Sequence, residues 1–187
     1  MSDEGAGDFL ARLTTKLTGA GVPHMVVGSF ASSFHGVPRS SQDLDLVIDP
    51  DPTSLRRFLA DLPADAYYAD SDAAVDAMQT RGQFNVIDMA TAWKADLIVR
   101  KARPFSVEEM KRRREGDMLG AHVFVASPED TLISKLEWAK LGGGSELQLR
   151  DAAGILELRG GDLDVAYIER WIADLGLEDL WRRLQAG

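Results

Sequence analysis

The hydrophobic period of this chain changes once, at Ser127, and that change limits the possible folds more than any other feature. Before it, short apolar runs alternate with helix-compatible segments. Phe9, Leu10, Leu13 and Leu17 have helical spacing within residues 8–19, and Gly19 and Gly21 end that stretch. His24 to Gly28 reads as a short buried strand, and Ser29 to His35 as a small-residue helix. Leu44, Leu46, Val47 and Ile48 make a second strand. Asp51-Pro52 supplies an N-cap and a first-turn proline for a helix reaching about Leu62. Residues 71–80 predict another helix. Residues 84–90 and 94–101 flank ATAW as a β-hairpin, Ser106 to Glu109 has the form of a capping box opening a basic helix, and residues 122–126 read as a strand.

After Ser127 the pattern is helical throughout. Ser127-Pro128-Glu129-Asp130 starts a helix to about Leu141, and three glycines, 142–144, break it. Further helices are predicted at 145–159, from about Asp164 to Leu175, and at 177–185. The expectation is an α+β chain: a mixed β-sheet flanked by helices over residues 1–126, then a C-terminal helical region over 127–187 packed on that core.

Composition narrows the class. With 187 residues and 45% hydrophobic content the chain can bury a real core. No run of eighteen apolar residues exists, so no membrane span or membrane partner is expected. The N-terminus MSDEGAGDF lacks the basic-then-apolar order of a secretion signal. The absence of cysteine excludes disulfides and thiolate zinc sites and fits a cytoplasmic location. A net charge of −9 disfavours a protein whose main task is coating nucleic acid. A local basic run at 111–114 reads as a solvated helix face, or as a contact to an RNA backbone.

Within DLDLVI, Asp43 and Asp45 share one strand face, about 6.5 Å apart, while Leu44 and Leu46 take the other. Two such carboxylates either face solvent or hold a hard divalent cation, Mg²⁺ or Mn²⁺. Asp96 stands in KADLIVRK among Ala95, Leu97, Ile98 and Val99, where a carboxylate needs a partner. That partner is either a cation shared with Asp43 and Asp45, or Lys94 or Arg100; the other alternative is a charge on an edge strand. Asp88, one strand earlier, is a substitute. Gly28-Ser29 ends one strand and starts a helix, where free N–H groups and a hydroxyl suit phosphate. It is equally an ordinary turn.

Gly28-Ser29, thirteen intervening residues, Asp43-Leu44-Asp45 and the later strand acid Asp96 resemble the nucleotidyltransferase superfamily related to polymerase beta. The segments VVGSFASSFHG, PRSSQDLDLVI, KADLIV, VASPEDTLISKLEWA and LRDAAGIL are similar to its AbiEii toxin-like group and, in the first part, to minimal and aminoglycoside nucleotidyltransferases. The resemblance spans about residues 22–160. It implies a nucleotidyltransferase-like fold and transfer of a nucleoside monophosphate from an NTP to a hydroxyl acceptor, with pyrophosphate released. Asp43 and Asp45 would bind two Mg²⁺ ions, and Asp96 would bind one of them and activate the hydroxyl. Gly28 and Ser29 would hold the triphosphate. The acceptor would be tRNA, a protein or a small molecule, with an antitoxin as a possible further partner. The alternatives are a non-catalytic nucleotide- or partner-binding module on the same fold, or an aminoglycoside-type enzyme.

Three further residues join the candidate nucleotide site. Lys135 borders the Leu132–Leu136–Ala139 stripe, so its stem can pack while its ammonium reaches outward; in similar proteins a lysine in this helix faces the nucleotide. Asp151 lies on the apolar face of Leu147, Ile155 and Leu158 and calls for a partner such as Lys135, Arg150 or a ligand. For both, a structural ion pair between the tail helices is the alternative. Arg39 is either a phosphate contact or a solvent-facing loop arginine. His24, His35 and His122 lack metal-ligand spacing. The tryptophans read as packing, with Trp93 or Trp138 as possible base-stacking residues.

Overall fold

The alternation read in DLDLVI is the alternation seen: Leu44, Leu46 and Ile48 are fully buried, whereas Asp43, Asp45 and Val47 are not. The computed structural model describes residues 3–186. Their order is α1 (Asp3–Ala20), β1 (His24–Val26), α2 (Gly28–His35), β2 (Asp43–Ile48), α3 (Pro52–Ala60), β3 (Tyr67–Ala69), α4 (Ser71–Thr80), β4 (Gln83–Asp88), β5 (Lys94–Val99), α5 (Pro104–Arg112), β6 (Arg114–Met118) and β7 (Ala121–Val125). Then come α6 (Pro128–Leu141), α7 (Glu146–Arg159), a 3₁₀ turn (Gly160–Asp162), α8 (Val165–Leu175) and α9 (Glu178–Ala186). Among the described residues no helix is long and apolar enough to cross a membrane.

The chain divides into two compact units. One comprises the chain up to Val27 together with Ser41–Val125; the other comprises Gly28–Ser40 together with the chain from Ala126 onward. The sequence-based partition at residue 126 therefore differs in one segment, because α2 groups with the C-terminal helices. The physical reason is close backbone packing. A Cβ on Gly36 would stand 2.9 Å from the Ile155 amide nitrogen, and one on Gly154 would stand 3.2 Å from that of Val37. His35 Nε2 also lies 2.7 Å from the Ala126 carbonyl oxygen.

The first unit is built on one mixed sheet of seven strands in the order β3-β4-β5-β2-β1-β7-β6. β2 pairs parallel with β5, and β1 parallel with β7; the remaining neighbours are antiparallel. Phe9, Leu10, Leu13 and Leu17 of α1 and Leu55 and Phe58 of α3 are buried with the apolar face of β2. Asp51 caps α3 as expected, accepting from the Thr53 and Ser54 amides while Ser54 Oγ accepts from the Asp51 amide.

Two strands were not anticipated. β3 and β6 are the sheet's edges, and β6 (REGDM) has four of its five residues outside the core. An edge strand with so little to bury leaves no period-2 signal. Consequently the basic run at 111–114 is not one helix face: α5 ends at Arg112 and Arg114 begins β6. α5 also starts earlier than the Ser106 capping box implied, with Arg103 at the N-cap and Pro104 in the first turn, and Ser106 is buried, its Oγ accepting from Arg103 Nε.

The second unit contains α2 and α6 to α9. α6 starts where Ser127-Pro128 indicated: Ser127 Oγ accepts from the Asp130 amide and donates to the Asp130 carboxylate at 2.6 Å. Tyr167 Oη donates to Asp130 Oδ1 at 2.5 Å, tying α8 to the first turn of α6. Lys140 Nζ donates to the carbonyls of Leu175, the last residue of α8, and Gly176, its C-cap.

Candidate functional site

The acids of the first unit meet on one sheet face. β2 and β5 run parallel with Asp45 directly beside Asp96 and Asp43 beside Lys94. In register neighbours of a sheet point to the same side, so Asp43, Asp45, Lys94 and Asp96 form a two-by-two block. Asn85 of β4 stands opposite Asp96 on its other flank, extending the polar face by one strand. β5 is an interior strand, so Asp96 is not an edge charge. Asp88 is not part of this face. It lies on the buried side of β4, accepts from the Ala90 and Thr91 amides, and pairs with Arg12. Burial pushes its carboxyl pKa up, but the two amides and Arg12 outweigh that and hold it below the ordinary range.

Lys94 fills the space between the acids. Its Nζ lies 3.3 Å from Asp43 Oδ1 and 3.2 Å from Asp96 Oδ1. Burial pulls the Lys94 pKa down, and the hydrogen bonds it donates to Asp96 and then Asp43 more than reverse this, so the ammonium is held charged. The partner that sequence offered as an alternative for Asp96 is therefore present.

The face suits a divalent cation in donor type, because carboxylate oxygens are the ligands that Mg²⁺ and Mn²⁺ prefer. Asp96 Oδ1 is enclosed, and the Lys94 ammonium at 3.2 Å pairs with it electrostatically without the geometry of a hydrogen bond. The arrangement is nonetheless set for Lys94: among the described residues, no three His, Cys, Asp or Glu side chains converge on one cation position.

The other five candidate residues all belong to the second unit, and they too come together. Gly28 opens α2 with φ 64°, a left-handed conformation that glycine adopts without strain. Ser29 Oγ accepts from Arg39 Nη2. Arg39 Nε donates to both oxygens of Asp151, at 3.0 and 3.1 Å. Lys135 Nζ donates to Asp151 Oδ2 at 2.8 Å, and Ser32 Oγ adds a longer contact at 3.4 Å. Both members of the Lys135–Asp151 pair are 5% exposed, Arg39 26%. The ion pair between tail helices considered from sequence is thus real, joining α6 to α7, and Arg39 extends it to the start of α2. Arg39 is not a free solvent-facing arginine.

Two participants had no role in the sequence reading, Asn85 and Ser32. Both are visible only through register or packing. Trp93 is buried, whereas Trp138 is 58% exposed.

No protein-family model matches the sequence, and no curated protein matches it. Solved structures do. The crystal structure of an antigenic nucleotidyltransferase-like protein from Paracoccidioides brasiliensis matches with a TM-score of 0.56 at 18% identity, over 98% of this chain and 92% of that one. Weaker likenesses are to JHP933 from Helicobacter pylori, with a TM-score of 0.44 at 14% identity over 100% and 95% of the two chains, and to ANT(2″)-Ia in complex with adenylyl-2″-tobramycin, with 0.45 at 14% over 95% and 98%. The chain has a nucleotidyltransferase-like α+β fold, a mixed seven-stranded sheet with helices and a C-terminal helical region.

Proposed function

We propose that this protein transfers a nucleoside monophosphate from an NTP to a hydroxyl acceptor, with Asp43, Asp45 and Asp96 holding Mg²⁺ or Mn²⁺. The observation that carries this reading is the register of β2 and β5, which sets Asp45 against Asp96 with Asp43 on the same face. Asp43, Asp45 and Asp96 would hold the metal, which would supply neutralisation of phosphate charge during the displacement. A new bond forms between the α-phosphorus and the acceptor oxygen. The bond from the α-phosphorus to the bridging oxygen breaks, and pyrophosphate leaves with that electron pair. Asp96, beside the acceptor in this reading, takes the hydroxyl proton. Gly28 and Ser29 bind the triphosphate through the amides and hydroxyl at the start of α2. Arg39 positions Ser29, and the Lys135–Asp151 pair positions Arg39.

The AbiEii-like segments favour tRNA or a protein as acceptor, in a toxin–antitoxin setting. A second reading, with a cationic aminoglycoside as acceptor, is favoured by the net charge of −9. The test is incubation with each labelled NTP and a panel of RNA, protein and aminoglycoside acceptors, with and without Mg²⁺. Metal-dependent incorporation is expected, with Asp43→Asn reducing it about 100-fold or more. NTP binding without turnover on any acceptor would favour the non-catalytic module. No nucleotide binding at all would remove both readings.

A further inference from the structure

The acid face already contains a cation, and the chain supplies it. Lys94 lies two residues before Asp96 on the same strand face and directly beside Asp43 in the neighbouring strand, so backbone register alone brings its ammonium to both carboxylates. It reaches Asp43 Oδ1 at 3.3 Å and Asp96 Oδ1 at 3.2 Å. A magnesium ion binds carboxylate oxygen at about 2.1 Å. Bound to these same oxygens, it would lie within a few ångströms of the ammonium, where like charges repel strongly. Without any cation, three neighbouring carboxylates would repel one another instead.

We propose that Lys94 is the resident counter-ion of this face and that Mg²⁺ or Mn²⁺ enters Asp43, Asp45 and Asp96 only by displacing its ammonium. This rests on the metal-dependent reading above and adds a regulatory residue to it. The metal-free face stays ordered because Lys94 balances it. Metal affinity is lowered by the ion pairs that must break first. The Lys94 side chain is 34% exposed, so its ammonium can move to solvent while the stem stays against the sheet.

The experiment is a Mn²⁺ titration followed by the paramagnetic resonance signal of the free ion, with thermal unfolding recorded with and without Mn²⁺. It compares the intact chain with Lys94→Met and Lys94→Arg. Lys94→Met is expected to bind Mn²⁺ about tenfold more tightly. Its metal-free unfolding midpoint falls, and Mn²⁺ raises that midpoint by more than in the unmodified chain. Lys94→Arg, which keeps the competing charge, stays close to the unmodified affinity. Equal or weaker Mn²⁺ binding by Lys94→Met overturns the displacement and leaves the metal-dependent reading standing. Absence of Mn²⁺ binding in every variant at millimolar concentration overturns both. Should Lys94→Met fail to fold, Lys94→Gln carries the same comparison.

Discussion

At the scale of single residues, burial decides which charges are structural necessities. Lys135 and Asp151 are each 5% exposed and 2.8 Å apart. Removing one partner strands the other's charge out of water. Asp151→Ala is expected to cost about 3 kcal/mol of stability, measured by urea unfolding. Adding Lys135→Met to it recovers a large part of that loss, because the stranded ammonium goes too. His24 is buried beside Phe124. Burial is the main reason its pKa lies below the ordinary 6.5; the Val22 carbonyl opposes the shift and Arg113 adds to it. The folded chain therefore resists a proton that the unfolded chain accepts. Its contribution to stability is complete above pH 6.5 and is lost as pH falls from 6.5 toward the lowered folded value. His24→Gln is expected to flatten the dependence of the urea midpoint between about pH 7.5 and 5.

Elements were legible where they carry a strong local signal. The start of α6 at Ser127-Pro128 follows from capping chemistry, since Ser127 accepts from the Asp130 amide; the structure shows a similar cap on α4, where Asp70 accepts from the Asp72 and Ala73 amides. The edge strands β3 and β6 were missed because their pairing, not their own burial, makes them strands. The contact between α2 and α7 was equally hidden, because a glycine in sequence does not say what approaches it. Gly36→Ala is expected to lower stability by about 2 kcal/mol, since its Cβ would meet backbone at 2.9 Å. Gly161→Ala, which faces open space, is expected to stay within about 0.5 kcal/mol. Thermal unfolding of both variants checks the contrast.

For the whole molecule, the grouping of Gly28–Ser40 with the C-terminal helices has a consequence for fragments. A fragment covering 126–187 lacks α2, and with it Ser32 at Asp151, His35 at the Ala126 carbonyl and Gly36 against Ile155. It is expected to melt without a cooperative transition, measured by far-UV circular dichroism. A sharp transition would show that α6 to α9 hold together unaided.

Sequence by itself determined the α+β order, most helix starts and the common face of Asp43 and Asp45, because caps and strand alternation act over a few residues. It also singled out Asp96 and Asp151 as acids in apolar surroundings that need partners, and Lys135 at the border of an apolar stripe. Which partner each obtains was decided by tertiary structure alone. Lys94 reaches across to Asp43, and Arg39 reaches Asp151, because strand register and helix packing join positions far apart in the chain, and no local pattern encodes that distance.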